Sequence, residues 1–175
     1  MSSAAAIRRG AVLRLTTTAL LMAMNIILSM SIFSIPVPGG HLYFCDTVIN
    51  IAAVLLDPVA AFVVGGIGSF MGDFFFYPAP MFVSLVTHGL QAAAVSLIVR
   101  RLRIRKPAVA SSIAVTVGAV IMIIGYTLGR AYVYSTPEYS ILKLPFEILQ
   151  AGFGAVSAVF LLHPMGLKSA FSRVL

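Results

Sequence analysis

PAVASSIAVTVGAVIMIIGYTLG, residues 107–129, runs without one charged side chain. A helix needs ~20 apolar residues to cross the hydrocarbon of a bilayer, and this run supplies them. It continues to Tyr134 with Arg130 as its only charge. The apolar residues form a block rather than a stripe, which separates a membrane span from an amphipathic surface helix.

The same texture recurs on both sides. Spans are expected over 11–35, 43–56, 58–75, 81–99, 107–134 and 144–167. Breakers separate them: Pro36-Val37-Pro38-Gly39-Gly40, Asp57-Pro58, Tyr77-Pro78-Ala79-Pro80, a basic segment, and the polar stretch Ser135–Ser140. The 43–56 segment is short for a full crossing. The expected fold is therefore an all-α integral membrane protein, a six-transmembrane-helix bundle with short loops, forming one domain over 1–175. Of the 175 residues, 60% are hydrophobic and 10% charged. A soluble domain carries about 25% charged residues, so too few are present here to cover a water-facing surface.

The net charge of +7 is clumped. Arg100, Arg101, Arg103, Arg105 and Lys106 form one cluster, Arg8, Arg9 and Arg14 another, and Lys168 and Arg173 a third. With both termini in the cytoplasm, six crossings place all ten of these on the inner side, and only Arg130 and Lys143 fall toward the outside. The apolar flanks and the absence of an RNA-type motif argue against a nucleic-acid partner. The run after Arg8 and Arg9 reads as a retained first helix, being longer than a signal-peptide core and lacking a clear cleavage site. Cys45 is the only cysteine, so no intrachain disulfide forms and no cysteine-based metal site is expected.

Polar residues inside spans need a partner or a task. The second span carries Asp46 and Asn50, four apart, and the third ends at Asp73 close to Tyr77. The fourth carries His88 and Gln91, and the fifth Tyr126, Arg130 and Tyr134. The sixth carries Glu147 and Gln150. Asp46, Asp73, Arg130 and Glu147 are expected in the outer half, with His88 nearer mid-depth. Asp46, Asn50, Asp73, Tyr77, His88, Gln91, Arg130, Glu147 and Gln150 are thus the candidate binding residues. Mixed with aromatics, they suit a small, polar, ring-shaped ligand. The competing reading has Arg130 fastening the bundle by pairing with Asp73 or Glu147. Ala19 and Ala23 lie one turn apart on the first helix, and Ala61, Gly65, Ser69 and Gly68, Gly72 repeat that spacing on the third, which lets helices approach closely in lipid.

Absent motifs also constrain. No G-x-x-x-x-G-K-[ST] loop is present, and neither H-E-x-x-H nor G-x-S-x-G occurs. No cofactor is expected. An intramembrane enzyme, with His88 as base and Asp73 or Glu147 as acid, stays open, as does an oligomeric channel or exporter. No two-fold internal repeat is evident, which weighs against a self-contained alternating-access carrier.

Three stretches carry a family resemblance: His41-Leu-Tyr-Phe-Cys-Asp46 with Ala52-Ala53-Val-Leu-Leu-Asp57-Pro58; Gly65-Gly66-Ile-Gly68-Ser69-Phe-Met-Gly72-Asp73 with Tyr77-Pro78 and His88-Gly89-Leu90; and Pro145-Phe-Glu147-Ile-Leu-Gln150-Ala-Gly152-Phe-Gly154-Ala155. In order and spacing the chain resembles the S components of energy-coupling factor (ECF) transporters, in the riboflavin-type and related vitamin branch. Cys45, His88 and Glu147 stand where glycine, lysine and asparagine are common in that family. The resemblance implies a subunit of a prokaryotic cell membrane, without catalytic activity, that captures a vitamin from outside. It implies docking on a transmembrane coupling subunit driven by two ATPase subunits, with Ala19 and Ala23 on the docking face. The acidic excess of Asp46, Asp73 and Glu147 over Arg130 points to a pyridoxine-type compound or an aminopyrimidine rather than folate.

Overall fold

Proline and a capping side chain open helices where the sequence turns apolar. Asp57 accepts hydrogen bonds from the backbone N–H groups of Val59 and Ala60 at 3.2 and 3.3 Å, with Pro58 in the first helical turn. Thr136 does the same for Tyr139, with Pro137 behind it. The structure, a computed structural model, describes residues 3–102 and 104–172, so Arg103 and Arg173 of the basic clusters lie outside the described residues.

In chain order the elements are α1 (Ser3–Leu28), a 3-10 turn (Ser31–Phe33), strands β1 (Ile35–Val37) and β2 (Gly40–Leu42), then α2 (Cys45–Leu55) and α3 (Pro58–Phe76). There follow α4 (Met81–Arg101), α5 (Pro107–Tyr134), α6 (Pro137–Leu162) and a short α7 (Leu167–Ser172). Among the described residues five helices are long and apolar enough to cross a membrane: α1 from Gly10, α3, α4, α5 and α6. The remaining expected span, 43–56, is α2, which has 11 residues, about 17 Å at ~1.5 Å per residue.

That short helix is the centre of the bundle. Nine of its residues are buried, from Cys45 to Val54, with α1, α4 and α6 packed around it. The outer helices show the inverse. Along α5, Ile113, Val117, Val120, Ile124 and Leu128 are exposed, while Ala110, Ala114, Gly118 and Met122 face inward. Large apolar groups lie outside and small or polar ones inside, the arrangement a lipid-facing body requires.

The small residues of α3 set its packing. A Cβ on Gly65 would sit 2.6 Å from the carbonyl oxygen of His88, and one on Gly66 2.8 Å from that of Leu85, so α3 and α4 touch backbone to backbone. Gly72 meets a side chain instead: a Cβ there would lie 2.6 Å from the Cβ of Ser29, just beyond α1. A π-turn over Val63–Ile67 interrupts α3. It leaves the Val64 carbonyl to accept from the buried amide of Asn25 at 2.6 Å.

Two boundaries that shape the site differ from expectation. The first helix ends at Leu28 rather than near 35, because Pro36 to Gly40 do more than break a helix. They form a hairpin, with Ile35 opposite Leu42 and Val37 opposite Gly40. Gly39 has φ of +81° after Pro38, the pairing a tight turn with one left-handed residue requires. The last long helix starts at Pro137 rather than 144, so the polar stretch 137–143 is helical.

Candidate functional site

The hairpin, the start of α2, the end of α3 and the facing sides of α4, α5 and α6 enclose one narrow cavity. Its free space of about 50 Å³ admits a few waters at ~10–15 Å³ each. Of the residues singled out from sequence, Asp73, Tyr77, His88, Arg130, Glu147 and Gln150 line it. Tyr77 is 47% exposed and stands at the margin.

Asp46 and Gln91 lie just behind the wall. The Asp46 carboxylate accepts from Gln150 Nε2 at 2.7 Å and from Gln91 Nε2 at 3.3 Å. Gln150 Oε1 in turn accepts from the Tyr43 N–H at 3.0 Å. Gln91 Oε1 lies 2.8 Å from His88 Nδ1; an amide oxygen only accepts, so that nitrogen carries the hydrogen. One carboxylate thus ties α2, α4 and α6 together. Asn50 is buried deeper, and neither polar atom of its side chain has a partner among the described residues.

A second group sits on α5 and α6. A π-turn over Arg130–Tyr134 ends α5. Arg130 donates to Glu147, 17 residues on, and stacks over the Tyr134 ring at 5.6 Å. Asp73 is therefore not the partner of Arg130. It accepts instead from Ser84, whose hydroxyl is 2.5 Å from that of Tyr126, and the Tyr126 ring meets the His88 ring edge to face at 5.2 Å. The second carboxylate oxygen of Glu147 is buried with no partner among the described residues, on a side chain that lines the cavity. A buried acceptor left open in this way invites a donor from a ligand.

Sequence reasoning missed Lys143, placing it in an outer loop. It is 2% exposed, lines the cavity, and donates to the His41 carbonyl of β2 at 2.5 Å. Lys143, Glu147 and Gln150 lie four and three apart on one helix face. Starting the helix at the Thr136-Pro137 signal would have exposed that pattern. Cys45, Tyr43 and Ser84 were also missed as site residues; serines in spans are common and carry little signal alone. Ala19 and Ala23 are exposed on α1, away from the cavity.

Among the described residues His88 bonds to Gln91 and Asp73 to Ser84. The site offers fixed donors, acceptors and aromatic faces, which suit binding. Its geometry depends on close contact of α2 and α6. A Cβ on Gly154 would lie 2.4 Å from Asp46 Cβ and 3.1 Å from its carbonyl carbon. Gly154→Val is expected to separate these helices, destabilising the protein by ~1–3 kcal/mol and weakening ligand binding with it. Thermal denaturation and calorimetry in detergent check this, and wild-type values in both would show that the helices have room to spare.

Comparison with known proteins agrees with the resemblance read from sequence. The family model described as ECF-type riboflavin transporter, S component, matches residues 10–167. An uncharacterized protein in a gap 3′ region of Pyrococcus woesei is 28% identical over 124 residues, covering 70% of this chain and 81% of that protein.

Proposed function

This chain belongs to the ECF-type riboflavin transporter S component family, and from that premise we propose that it captures a small water-soluble vitamin or precursor with high affinity on the outer side of the cell membrane. As a member of that family it is a multi-pass membrane protein and a substrate-binding subunit of a transporter, not an enzyme. It hands its ligand inward by docking on a transmembrane coupling subunit served by two ATPase subunits. In this reading α2 is a short sixth crossing, and both termini face the cytoplasm with the basic segment after α4.

The observation that carries the ligand class is the open carboxylate oxygen of Glu147 on the cavity wall. It calls for a donor group, and His88, Tyr126 and Tyr134 supply ring faces nearby. A pyridoxine-type compound or an aminopyrimidine offers one ring with donors at its edge. Asp46 and Gln91 act from behind, holding Gln150 and His88 in place, and Asn50 is buried deeper still.

Riboflavin, named in the family description, is the competing ligand. Calorimetry of the purified chain against a panel of B vitamins separates these. Sub-micromolar affinity for a pyridoxine-type or aminopyrimidine compound is expected, whereas a preference for riboflavin would replace that choice. Binding to no vitamin would overturn the vitamin reading altogether. Reconstituted alone, the chain is expected to bind without sustained uptake.

A further inference from the structure

Cys45 Sγ, a carboxylate oxygen of Asp46 and a ring nitrogen of His88 lie within 4.8 Å of one another. The three residues are buried at 3%, 1% and 2% exposure. The sequence gives no motif spacing for them, since Cys45 and Asp46 come from the first turn of α2 and His88 from the middle of α4. The expectation of no metal site rested on a single cysteine lacking a second thiol. Folding supplies a carboxylate and an imidazole in its place.

The geometry points to a binding site for a divalent ion of the zinc or cobalt class, held by Cys45, Asp46 and His88, with a fourth position open to the cavity. Tetrahedral sites with bonds of ~2.0–2.3 Å place neighbouring donors ~3.3–3.8 Å apart. His88 Nδ1 and Asp46 Oδ1 are already 3.8 Å apart, so the triangle closes by small shifts of side-chain tips once the imidazole hydrogen moves to Nε2 and Nδ1 turns from Gln91 to the ion. The outer contacts such a site needs are in place. Gln91 and Gln150 both donate to Asp46. Cys45 and His88 line the cavity, which provides a way in.

Charge favours the same conclusion. One thiolate and one carboxylate around a doubly positive ion make a neutral cluster, the state a body surrounded by lipid prefers. On binding, the Cys45 S–H bond breaks, its proton leaves to water, and a sulfur–metal bond forms without any change of oxidation state. A thiolate ligand selects against magnesium and calcium, which take oxygen donors. This inference goes beyond vitamin capture and does not depend on it.

The test uses the full chain, purified in detergent, stripped with a chelator and titrated with cobalt(II). One equivalent is expected to give a thiolate-to-cobalt band in the near ultraviolet and visible bands of tetrahedral intensity. Cys45 is the only cysteine, so the wild-type spectrum alone identifies the ligand, even if a variant misfolds. Cys45→Ala should abolish the thiolate band, and His88→Ala should lower affinity at least tenfold, with helix content by circular dichroism unchanged. Absence of saturable cobalt binding, cobalt bound without the thiolate band, or the band persisting in Cys45→Ala would each overturn the site. The vitamin panel repeated on chelator-treated protein keeps that result separate from this one.

Discussion

Arg130→Met alone is expected to destabilise the protein by ~3–5 kcal/mol, because it strands a buried carboxylate. Glu147 is 2% exposed, and one of its oxygens has no partner even with Arg130 present. Without the guanidinium both oxygens would lie bare in a body enclosed by lipid. Glu147→Met should be similarly harmful, leaving Arg130 without its carboxylate and against the Tyr134 ring. The double variant, Arg130→Met with Glu147→Met, removes both charges and should regain most of the lost stability, since well-packed apolar groups often replace a buried pair at little loss. Ligand binding should not return with it. The loss expected there is ~100-fold, the scale of a hydrogen bond to a charged group. Thermal denaturation of the four proteins measures the coupling, and calorimetry measures the affinity. If the double variant binds normally, Arg130 and Glu147 only fasten the bundle; additive stability losses would show that the two charges are not partners.

How much of this was legible in the sequence differs from residue to residue. The uncharged run 107–129 announces a span because length and apolarity are local properties. Asp57-Pro58 announces a helix start for the same reason, and the carboxylate does cap the backbone. The glycines of α3 marked a close approach, and α4 fills it. By contrast, a hairpin of two three-residue strands has no periodicity to read, and only the Pro38-Gly39 turn hints at it. The π-turns at Val63–Ile67 and Arg130–Tyr134 answer to tertiary partners such as Asn25, which no local pattern reveals. Among the candidate site residues, the members of the polar set were visible because charge inside a span stands out. Their pairing was not: Arg130 had two possible carboxylates, and only the packing of α5 on α6 chooses Glu147. Lys143 was lost to a boundary error of seven residues, and Cys45 to the rule that one thiol makes no metal site.

Vitamin uptake by the assembled transporter is expected to fall ~100-fold in the Ala19→Leu, Ala23→Leu double variant, the effect of a ~3 kcal/mol clash at a docking face. Binding by the isolated chain should be unchanged. The case rests on where α1 lies. Its membrane segment from Gly10 to Leu28 is 6% buried, the least covered of the five long helices. It packs on α2 and α3, meeting α3 through Asn25 and, just beyond its end, Ser29, while Ala19 and Ala23 are exposed on the outward side. Two alanines a turn apart between the exposed Leu20 and Met24 leave a shallow strip where a partner helix can come close. Leucines would fill that strip, yet in lipid they meet only acyl chains, so the fold and the cavity are spared. Measuring uptake with the coupling and ATPase subunits present, alongside calorimetry on the chain alone, reads both halves. Undiminished uptake would move the docking face to another helix. A parallel loss of binding would mean that the strip supports the cavity from behind, rather than serving a partner.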